Sequence, residues 1–595
     1  MQTRSRAAQV TLPYGEIHVY TSSVNKQKRW IISPVIPPQT SSELEKFPSI
    51  LRQLLYNRAQ LNYTDARAFL QAEVITDTSP FLMTGMEAAV ERILQARKNH
   101  EQVAIYGDYD VDGVTATALL FQTFTALGLK VRGYIPNRFD EGYGLNVEAL
   151  TSLQKEGVSL IITVDCGIRS APEAQHARDI GLDLIITDHH QPAEDLPVAY
   201  AVVNPKQEGD AYPDKDLAGV GIAFKIAQAL QERCLQKVES FDLNLDLLLD
   251  LVALGTVADL APLTGENRML VRRGLRIIQK TQRQGLYSLA KVAGLNIETT
   301  NATNIGFVLG PRLNAAGRLE SALASFELLI TQEVGLAGEL ALKLDDQNRS
   351  RQAVTREIQA RAEQIARPVE NRDHILFAVD KDFNSGVVGL AASRLVDLYY
   401  RPAVVGQIGE ETTRCSCRSI PEFHITRALD QCKDLLVRHG GHAAAAGFTV
   451  KNENLAELRS RLLQIADEQL SKLDLRPTLV ADMVVPLSEM NADVIKYLSY
   501  LQPTGYGNLE PVFVSRNLEL KSSRSVGADA KHLKLTLSDG HVTYDAIGFG
   551  LGNLKDNLPK KLDVMYNFEA NQFNGRTTLQ LKLKDIKTAG LPDDA

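Results

Sequence analysis

The stretch VAIYGDYDVDG, residues 103–113, decides the fold of the largest predicted domain. Its apolar run ends at Gly107, three aspartates follow, and the helical pattern TATALLFQTFTALG begins at Thr115. The same alternation continues with VRGYI and NVEALTSLQKEG, with LIITV and SAPEAQHARDIG, and with LDLIIT before AYAVV. Strands that alternate with helices in this way predict a parallel sheet covered by helices, and therefore an α/β fold.

Acidic and histidine side chains follow three of these predicted strands: Asp108, Asp110, Asp112, Asp165, Asp188, His189 and His190. The carboxyl ends of parallel strands share one edge of a sheet, where ligands bind, so we expect these side chains to converge. Clustered carboxylates repel one another without cations, and oxygen-rich ligation with imidazoles suits Mn²⁺ or Mg²⁺. A lone Asp-x-Asp or His-His is more often a turn or a helix cap. Three clusters together predict a two-metal centre for phosphoryl displacement.

Length and composition indicate a globular protein of several domains. The chain has 595 residues, which suggests about three or four domains. Its 44% hydrophobic and 23% charged residues are ordinary for a globular protein. The 65 basic and 72 acidic residues leave a net charge of −7. A polyanion would therefore have to bind at local basic patches.

Cysteine content and hydropathy predict the compartment. Five cysteines are few for a chain of this length, and their odd number argues against a disulfide framework. The first ten residues lack the apolar core of a signal peptide, and the richest apolar run, residues 247–263, is interrupted by Asp250 and Asp259. We therefore expect a cytoplasmic protein with no membrane segment. Separately, we expect a monomer.

Changes in pattern along the chain predict the domains. Residues 1–65 show no sustained periodicity and are interpreted as a loosely structured lead-in, whereas 66–332 contain the parallel-sheet catalytic lobe. A long polar run predicts a connecting helix over 333–370. The strand-helix pattern restarts over 371–470, which predicts a second α/β lobe. Alternation in KHLKLTLSDG and TTLQLKLKDI predicts a small antiparallel barrel or sheet over 475–590.

A basic segment follows Asp259. Between Glu266 and Arg283, one acidic residue accompanies six basic ones: Arg268, Arg272, Arg273, Arg276, Lys280 and Arg283. A solvated helix face and the wall of a channel for a polyanion explain this segment equally well.

Nine motifs carry a family resemblance: YGDYDVDG (106–113), PNRFDEGYGL (136–145), VDCG (164–167), TDHH (187–190), GTVADLAPL (255–263), GPRLNAAGRL (310–319), CRSI (417–420), GGHAAAAG (440–447) and PTGYGNLEPVF (503–513). With these motifs the chain resembles the DHH phosphoesterase superfamily and, within it, the bacterial RecJ single-strand-specific DNA exonucleases. The resemblance implies a DHH catalytic lobe, a DHHA1-like second lobe and a carboxyl-terminal barrel resembling an OB-fold.

The resemblance also implies an activity and a ligand set. It implies an exonuclease that digests single-stranded DNA from the 5′ end in DNA repair and recombination, using two Mn²⁺ or Mg²⁺ ions. The implied catalytic metal ligands are Asp110, Asp112, Asp165, His189 and Asp259. His190 would lie at the metal or the scissile phosphate, Asp188 would orient the histidines or ligate directly, and Asp108 is a further ligand candidate. By sequence alone, Asp259 could equally be a helix cap.

Further matched positions would hold the strand. Arg138, Arg312, Asn314 and Arg318 resemble strand-holding residues of the family. Ser416 and Arg418 match positions proposed to grip the 5′ end. Gly440, Gly441 and His442 form the glycine-rich motif of the second lobe. In the barrel, Tyr544, Phe549 and Phe573 are candidates for base stacking.

The chain departs from the family pattern at two places. Phe383 and Asn384 stand where relatives commonly carry Trp-His, and Cys415 and Cys417 occupy positions usually held by glycines. Cys415, Cys417, His424 and Cys432 fit no standard zinc spacing, so a zinc site is not predicted.

Two other functions remain open from the sequence. One is a DHH phosphodiesterase acting on short oligonucleotides or cyclic dinucleotides, which the length of this chain disfavours. The other is a non-catalytic, replication-associated DNA-binding relative, which the intact acids and histidines disfavour. The partners expected for the exonuclease are single-stranded DNA, a helicase and a single-strand-binding protein.

Overall fold

A computed structural model describes residues 28–74, 76–137, 144–237, 241–319, 321–366, 373–573 and 576–593. The chain divides into two compact units. One comprises Trp30–Ile358 and Thr478–Ala595, and the other is built mainly from Gln359–Pro477. In the part of the chain described, no helix has the length and apolar character needed to cross a bilayer.

The segment before the catalytic sheet forms regular secondary structure. It forms β1 (Arg29–Ile32), α1 (Pro38–Glu43), α2 (Ser49–Tyr56) and α3 (Tyr63–Gln71). The interpretation of residues 1–65 as a loosely structured lead-in is therefore wrong over these elements. Apolar side chains of α2 at helical spacing enter the hydrophobic core of the carboxyl-terminal barrel. No segment close to α2 in the sequence covers its apolar side chains, so their burial depends on a distant part of the chain.

The predicted parallel sheet is confirmed. Its strands are β2 (Gln102–Gly107), β3 (Lys130–Tyr134), β4 (Val158–Val164), β5 (Asp183–Thr187) and β6 (Ala201–Val203). The strands are all parallel, in the order β3-β2-β4-β5-β6. The helices α4 (Met86–Lys98), α5 (Val111–Ala126), α6 (Val147–Lys155) and α7 (Ala171–Asp179) accompany them. Every strand therefore ends at the same edge of the sheet.

A helical layer follows the sheet. Its helices are α8 (Gly219–Gln236), α9 (Leu249–Ala258), α10 (Gly265–Ile278), α11 (Gln284–Val292), α12 (Ala302–Asn304), α13 (Gly310–Leu319) and α14 (Leu323–Ile330). A π-helical turn, Ile305–Leu309, joins α12 to α13. Helices α8 and α9 share the hydrophobic core with α5. The predicted connecting helix is α15 (Val334–Ile365).

The second unit contains a mixed sheet. Its elements are β7 (Leu376–Asp380), α16 (Val388–Tyr399), β8 (Ala403–Ile408), β9 (Thr412–Arg418), α17 (Ile425–Asp430), β10 (Leu436–Gly441), β11 (Ala445–Lys451) and α18 (Leu455–Leu470). The strand order is β10-β11-β9-β8-β7, and only the β7–β8 pair is parallel among these strands. This unit is the predicted second α/β lobe.

The carboxyl-terminal strands close into a barrel. The elements here are β12 (Thr478–Ala481), β13 (Met483–Val484), α19 (Ala492–Tyr500), β14 (Phe513–Val526), β15 (His532–Ser538), β16 (Thr543–Gly548), β17 (Lys561–Phe573) and β18 (Arg576–Thr588). Pairing of β14 with both β15 and β17 closes the barrel. The expected antiparallel arrangement is wrong at two pairs, because β13–β14 and β16–β18 are parallel. Leu533, Leu535 and Leu537 face the core, as the alternation predicts.

Candidate metal centre and nucleic-acid interface

The loop after β2 holds the first group of carboxylates. Asp110 caps α5, and its Oδ1 accepts hydrogen bonds from the backbone amides of Asp112 at 2.9 Å and Gly113 at 3.1 Å. A Cβ at Gly113 would lie 2.5 Å from the carbonyl oxygen of Asp108. The glycine is therefore required for the helix to begin this close to the strand end.

The carboxylate of Asp112 is fully buried and held by a helix terminus. Its Oδ2 accepts a hydrogen bond from the amide of Gly219 at 2.6 Å, and its Oδ1 accepts one from Val220 at 2.9 Å. These amides begin α8, where the helix dipole favours an anion. A Cβ at Gly255 would lie 2.7 Å from Asp112 Oδ1, and one at Gly219 would lie 2.7 Å from Asp165 Cβ. The sequence reasoning missed both glycines, although they stand in the runs LAGVG and GTVAD.

Asp165 is the residue that follows β4, and it is 1% exposed. Its φ of +61° lies in the left-handed region, which is uncommon for a non-glycine residue. Its Oδ1 lies 3.0 Å from Nε2 of His189, which follows β5. The unusual backbone conformation thus accompanies a side chain directed at the neighbouring strand end.

Asp188 orients the two histidines. Its Oδ1 accepts hydrogen bonds from the amides of His189 at 2.8 Å and His190 at 3.0 Å, and lies 2.8 Å from His190 Nδ1. Its Oδ2 accepts one from the amide of Ile168 at 3.0 Å. The side-chain amide of Asn204, after β6, donates to the carbonyl of His190 at 2.9 Å. The sequence reasoning did not identify Asn204.

Asp259 reaches the same place from the helical layer. It caps the carboxyl end of α9, and its Oδ2 lies 3.7 Å from His189 Nε2. Asp259 is therefore both the residue that ends a helix and a ligand candidate, so the two interpretations left open by the sequence do not exclude each other.

The donor atoms form three overlapping triads. Within each triad the ligand atoms lie within 4.8 Å of one another: Asp108 with Asp110 and Asp165, Asp112 with His189 and Asp259, and Asp165 with His189 and His190. Asp165 and His189 each belong to two triads. The arrangement can therefore hold two adjacent cations that share ligands.

Burial and mutual repulsion set the protonation of the cluster. Burial, aided by neighbouring carboxylates, raises the pKa values of Asp112 and Asp165 well above their usual range. The same causes raise the pKa of Asp259 to about 7. Burial and the adjacent His190 lower the pKa of His189 to about 3, which keeps its imidazole neutral and able to ligate. Without cations, the cluster would take up protons.

The residues fit divalent cations. Two buried atoms, Asp165 Oδ1 and His189 Nε2, have no hydrogen-bond partner among the residues described. Carboxylate oxygens with one or two imidazoles suit Mn²⁺ or Mg²⁺. A cation at these atoms would complete their coordination and offset the repulsion that raises the carboxylate pKa values.

The candidate strand-holding residues of the first unit differ in their surroundings. Arg312 on α13 donates from Nε to Asp345 Oδ1 at 2.9 Å and from Nη1 to the carbonyl of Val308 at 2.8 Å, so its guanidinium is already engaged. Asn314 is half-buried on the same helix. Arg138 and the side chain of Arg318 lie outside the described residues.

The candidates of the second unit lie on its sheet. Ser416 and Arg418 are on β9, beside the first turn of α16. A Cβ at Gly389 there would lie 3.2 Å from Arg418 Nη2 and 3.6 Å from Ser416 Oγ. At the end of β10, Gly440 and Gly441 are exposed, as is His442 after them. Gly441 has a φ of +142°. This turn presents exposed backbone, and Gly389 leaves room for a serine hydroxyl and a guanidinium.

Comparisons with known proteins identify the family. Family models match residues 102–256 (DHH family, N-terminal domain), 372–472 (DHHA1 domain) and 481–585 (RecJ OB domain). The single-stranded-DNA-specific exonuclease RecJ of Escherichia coli is 35% identical over 525 residues, which are 85% of this chain and 90% of that protein. The chain belongs to the RecJ family. The RecJ of Bacillus subtilis is 40% identical over 541 residues, covering 90% of this chain and 67% of that protein.

Solved RecJ structures share the fold. The crystal structure of RecJ in complex with Mn²⁺ from Thermus thermophilus matches with a TM-score of 0.81 and 27% identity, and it covers 95% of this chain and 80% of that one. The complex of that protein with Mg²⁺ matches with a TM-score of 0.75 and 26% identity, and covers 95% and 79% of the respective chains. The resemblance and the fold class expected from the motifs are confirmed.

The departures from the RecJ pattern have structural explanations. Phe383 is buried, and Asn384 Oδ1 accepts a hydrogen bond from the amide of Gly386 at 2.8 Å, which forms the turn before α16. Cys415 and Cys417 point into the hydrophobic core of the second unit. Among the described residues, no metal-ligand group contains either cysteine.

The basic segment is only partly available to DNA. Arg268 is buried and donates hydrogen bonds to four backbone carbonyls, those of Phe69, Tyr500, Leu501 and Pro503. Arg272 donates to a carbonyl, Arg273 pairs with Asp246, and Arg283 pairs with the buried Asp250. Arg276 and Lys280 are exposed. The buried arginines of the segment join parts of the protein to one another, so only its exposed residues can face DNA, and a channel wall at this segment stays a prediction.

The aromatic side chains proposed for base stacking in the RecJ OB domain differ in exposure. The Tyr544 hydroxyl donates to the carbonyl of Met490, and its ring packs edge-on against Phe568 in the barrel core. The Tyr544 side chain is half-buried, and stacking on it stays a prediction. Phe549 is 58% exposed. The side chain of Phe573 lies outside the described residues.

Proposed function

We propose that this protein hydrolyses single-stranded DNA from the 5′ end with two Mn²⁺ or Mg²⁺ ions. The observation that carries the proposal is the pair of ligand triads joined by Asp165 and His189 at the edge of the sheet, in a chain of the RecJ family. Divalent ions so placed would activate a water and stabilise the attacking and leaving oxygens of a phosphodiester.

The ligands divide between two positions. Asp108, Asp110 and Asp165 would hold one ion, and Asp112, His189 and Asp259 the other. Asp188 would act through His190, because both of its oxygens already accept hydrogen bonds from amides. His190, whose Nδ1 faces Asp188, would present its remaining nitrogen to the ion or to the scissile phosphate.

Each unit carries candidate contacts for the strand. In the second unit, the Ser416 hydroxyl and the Arg418 guanidinium beside Gly389 support a grip on a 5′-terminal phosphate. The backbone at Gly440 and Gly441, together with His442, would approach the phosphates. In the first unit, Arg138, Asn314 and Arg318 remain proposed contacts. Arg312 would contribute only by leaving its pair with Asp345 or by positioning α13.

The biological setting follows from this activity. We propose that the protein acts in the cytoplasm as a monomer in DNA repair and recombination, with a helicase and a single-strand-binding protein that supply unpaired strands. We propose the domain limits 1–65, 66–332, 333–370, 371–470 and 475–590, as expected from the sequence. The first residues of the 66–332 region, which belong to α3, pack into the barrel core. That core contains side chains of both α2 and α3.

A digestion assay tests the function. Oligonucleotides labelled at either end, a blunt duplex and a dinucleotide are incubated with Mn²⁺, Mg²⁺ or EDTA. Metal-dependent loss of single strands with early release of the 5′ label is expected. Preference for the dinucleotide would favour the phosphodiesterase alternative, whereas binding without cleavage in either metal would favour the non-catalytic one. Degradation in EDTA would refute the two-metal mechanism.

A further inference from the structure

The chain that follows Asp259 is fastened to a turn from the carboxyl-terminal region of the same unit. The amide of Leu263 donates a hydrogen bond to the carbonyl of Tyr506 at 2.7 Å. Leu260 lies between Asp259 and this contact, has a φ of +62° and is 67% exposed. The turn is therefore fastened to the chain four residues after a candidate metal ligand.

Two glycines allow the turn to approach so closely. A Cβ at Gly505 would lie 2.7 Å from Leu263 Cδ1, and one at Gly507 would lie 2.9 Å from Pro262 Cβ. The buried Asn508 side chain donates to the carbonyls of Leu501 and Pro503 at 2.9 and 2.7 Å, and thereby braces the turn. The residue between the glycines, Tyr506, remains 61% exposed on this rigid base.

A second exposed aromatic side chain lies on a segment that packs against the end of α9. Phe307 is 80% exposed on the π-helical turn Ile305–Leu309. A Cβ at Gly310, which follows that turn, would lie 3.6 Å from Ala258 Cβ at the end of α9. Single-turn π-helical segments often accompany functional sites, and this one contacts the helix that carries Asp259.

Exposed apolar side chains are concentrated here. Of the seven large hydrophobic side chains more than 60% exposed in the described part of the chain, four lie on residues 260–263 or on the two segments that contact residues 258–263. We call these four the Asp259 rim: Leu260, Phe307, Tyr506 and Leu509. Isolated exposed hydrophobic residues need no explanation, but a concentration next to a candidate catalytic centre indicates a ligand with apolar surface.

We propose that Tyr506 and Phe307 stack on unpaired bases of the strand whose phosphate lies at the metal centre. The inference rests on the proposed function and adds base-stacking residues to it. An unpaired base exposes both of its faces, whereas a base inside a duplex is stacked on its neighbours. Rings on a rigid turn would therefore favour single strands over duplex without reading the sequence.

The test compares four variants in steady-state kinetics: Tyr506→Ala, Tyr506→Phe, Phe307→Ala and Tyr200→Ala. The substrates are an oligothymidylate and the same length of abasic strand. Tyr200 is 50% exposed just before β6, at the edge of the sheet away from the metal centre, and is the matched control. Affinity for both strands is also measured by fluorescence anisotropy in an Asp165→Ala background.

The expected result is selective. Tyr506→Ala and Phe307→Ala raise KM and Kd for oligothymidylate by roughly 5- to 150-fold each, as expected for loss of one stacked base. The kcat and the affinity for the abasic strand stay near wild type, and Tyr506→Phe and Tyr200→Ala behave like wild type. Equal weakening for both strands, an unchanged KM, or a loss confined to kcat would overturn stacking. If wild type neither cleaves nor binds single strands, the proposed function itself fails, a result distinct from loss of stacking alone.

Discussion

Asp165 Oδ1 lies 3.0 Å from His189 Nε2 and joins the carboxyl ends of two adjacent parallel strands. Both atoms are buried without a hydrogen-bond partner among the described residues. A bare pair of this kind would be unfavourable, because burial of a polar atom without a partner costs about 1–3 kcal/mol. A bound cation removes that cost.

Asp165→Ala is expected to abolish turnover and to leave strand binding largely intact. Asp165 belongs to the triad proposed for one ion, and its Oδ1 lies 3.0 Å from His189 Nε2 in the triad proposed for the other, so its loss disturbs both proposed cation positions. We expect kcat to fall by about 10³-fold or more, since metal stabilisation of a transition state is worth several kcal/mol. Single-turnover digestion and anisotropy with a labelled strand measure the two effects separately. A rate near wild type would show that Asp165 is not a shared ligand.

Gly255→Ala is expected to weaken Mn²⁺ binding. The added methyl group would lie 2.7 Å from Asp112 Oδ1 and 2.4 Å from Thr115 Oγ1, so the carboxylate must move. We expect Mn²⁺ affinity, measured by isothermal titration calorimetry, to fall about 10- to 100-fold. Gly335→Ala in α15 is the control, because no atom lies within 4 Å of its Cβ. Unchanged Mn²⁺ affinity in Gly255→Ala would show that Asp112 does not ligate.

Asp188→Ala is expected to slow catalysis more than it weakens metal binding. The carboxylate orients His190 and accepts three backbone amides. We expect kcat to fall about 10- to 100-fold, with partial recovery in Asp188→Asn, which keeps one acceptor oxygen. Calorimetry with Mn²⁺ decides the role of Asp188. An affinity loss as large as that of Asp165→Ala would make Asp188 a direct ligand.

Arg268→Met is expected to destabilise the fold without changing the salt dependence of DNA binding. Four hydrogen bonds from the buried guanidinium to backbone carbonyls would be lost, and the free energy of unfolding should fall by about 3–5 kcal/mol. Arg276→Ala, on the exposed face of α10, should leave stability unchanged. If α10 lines the strand, Arg276→Ala also lowers the slope of log K against log salt by about one. Urea denaturation and anisotropy over a salt series provide both measurements. A stable Arg268→Met variant with a reduced slope would reverse these assignments.

The local patterns were sufficient for the parallel sheet and for most of the metal centre. Short apolar strands, each ending in acids, can be recognised within about ten residues, and parallel strands bring their carboxyl ends together by geometry. Asp110, Asp165 and His189 were therefore predictable from position alone. Asp259 required the family resemblance, because the end of a helix gives no indication of which strand end it approaches.

The parts that sequence could not predict depend on distant contacts. Helix α2 belongs to a barrel core more than 400 residues away in sequence. In the sequence, Arg268 is typical of a charged surface residue, but in the structure its guanidinium is buried against the carbonyls of Leu501 and Pro503. Gly219 and Gly255 matter because the carboxylate of Asp112 passes between them.

The sequence by itself determined which acids and histidines terminate which strands, because strand formation and side-chain alternation are local properties. Only the tertiary structure decided which arginines are buried, which glycines allow close packing, and which side chains remain exposed near Asp259. Burial is set by neighbours from remote segments, and an arginine or a tyrosine has the same local sequence signal whether it is buried or exposed.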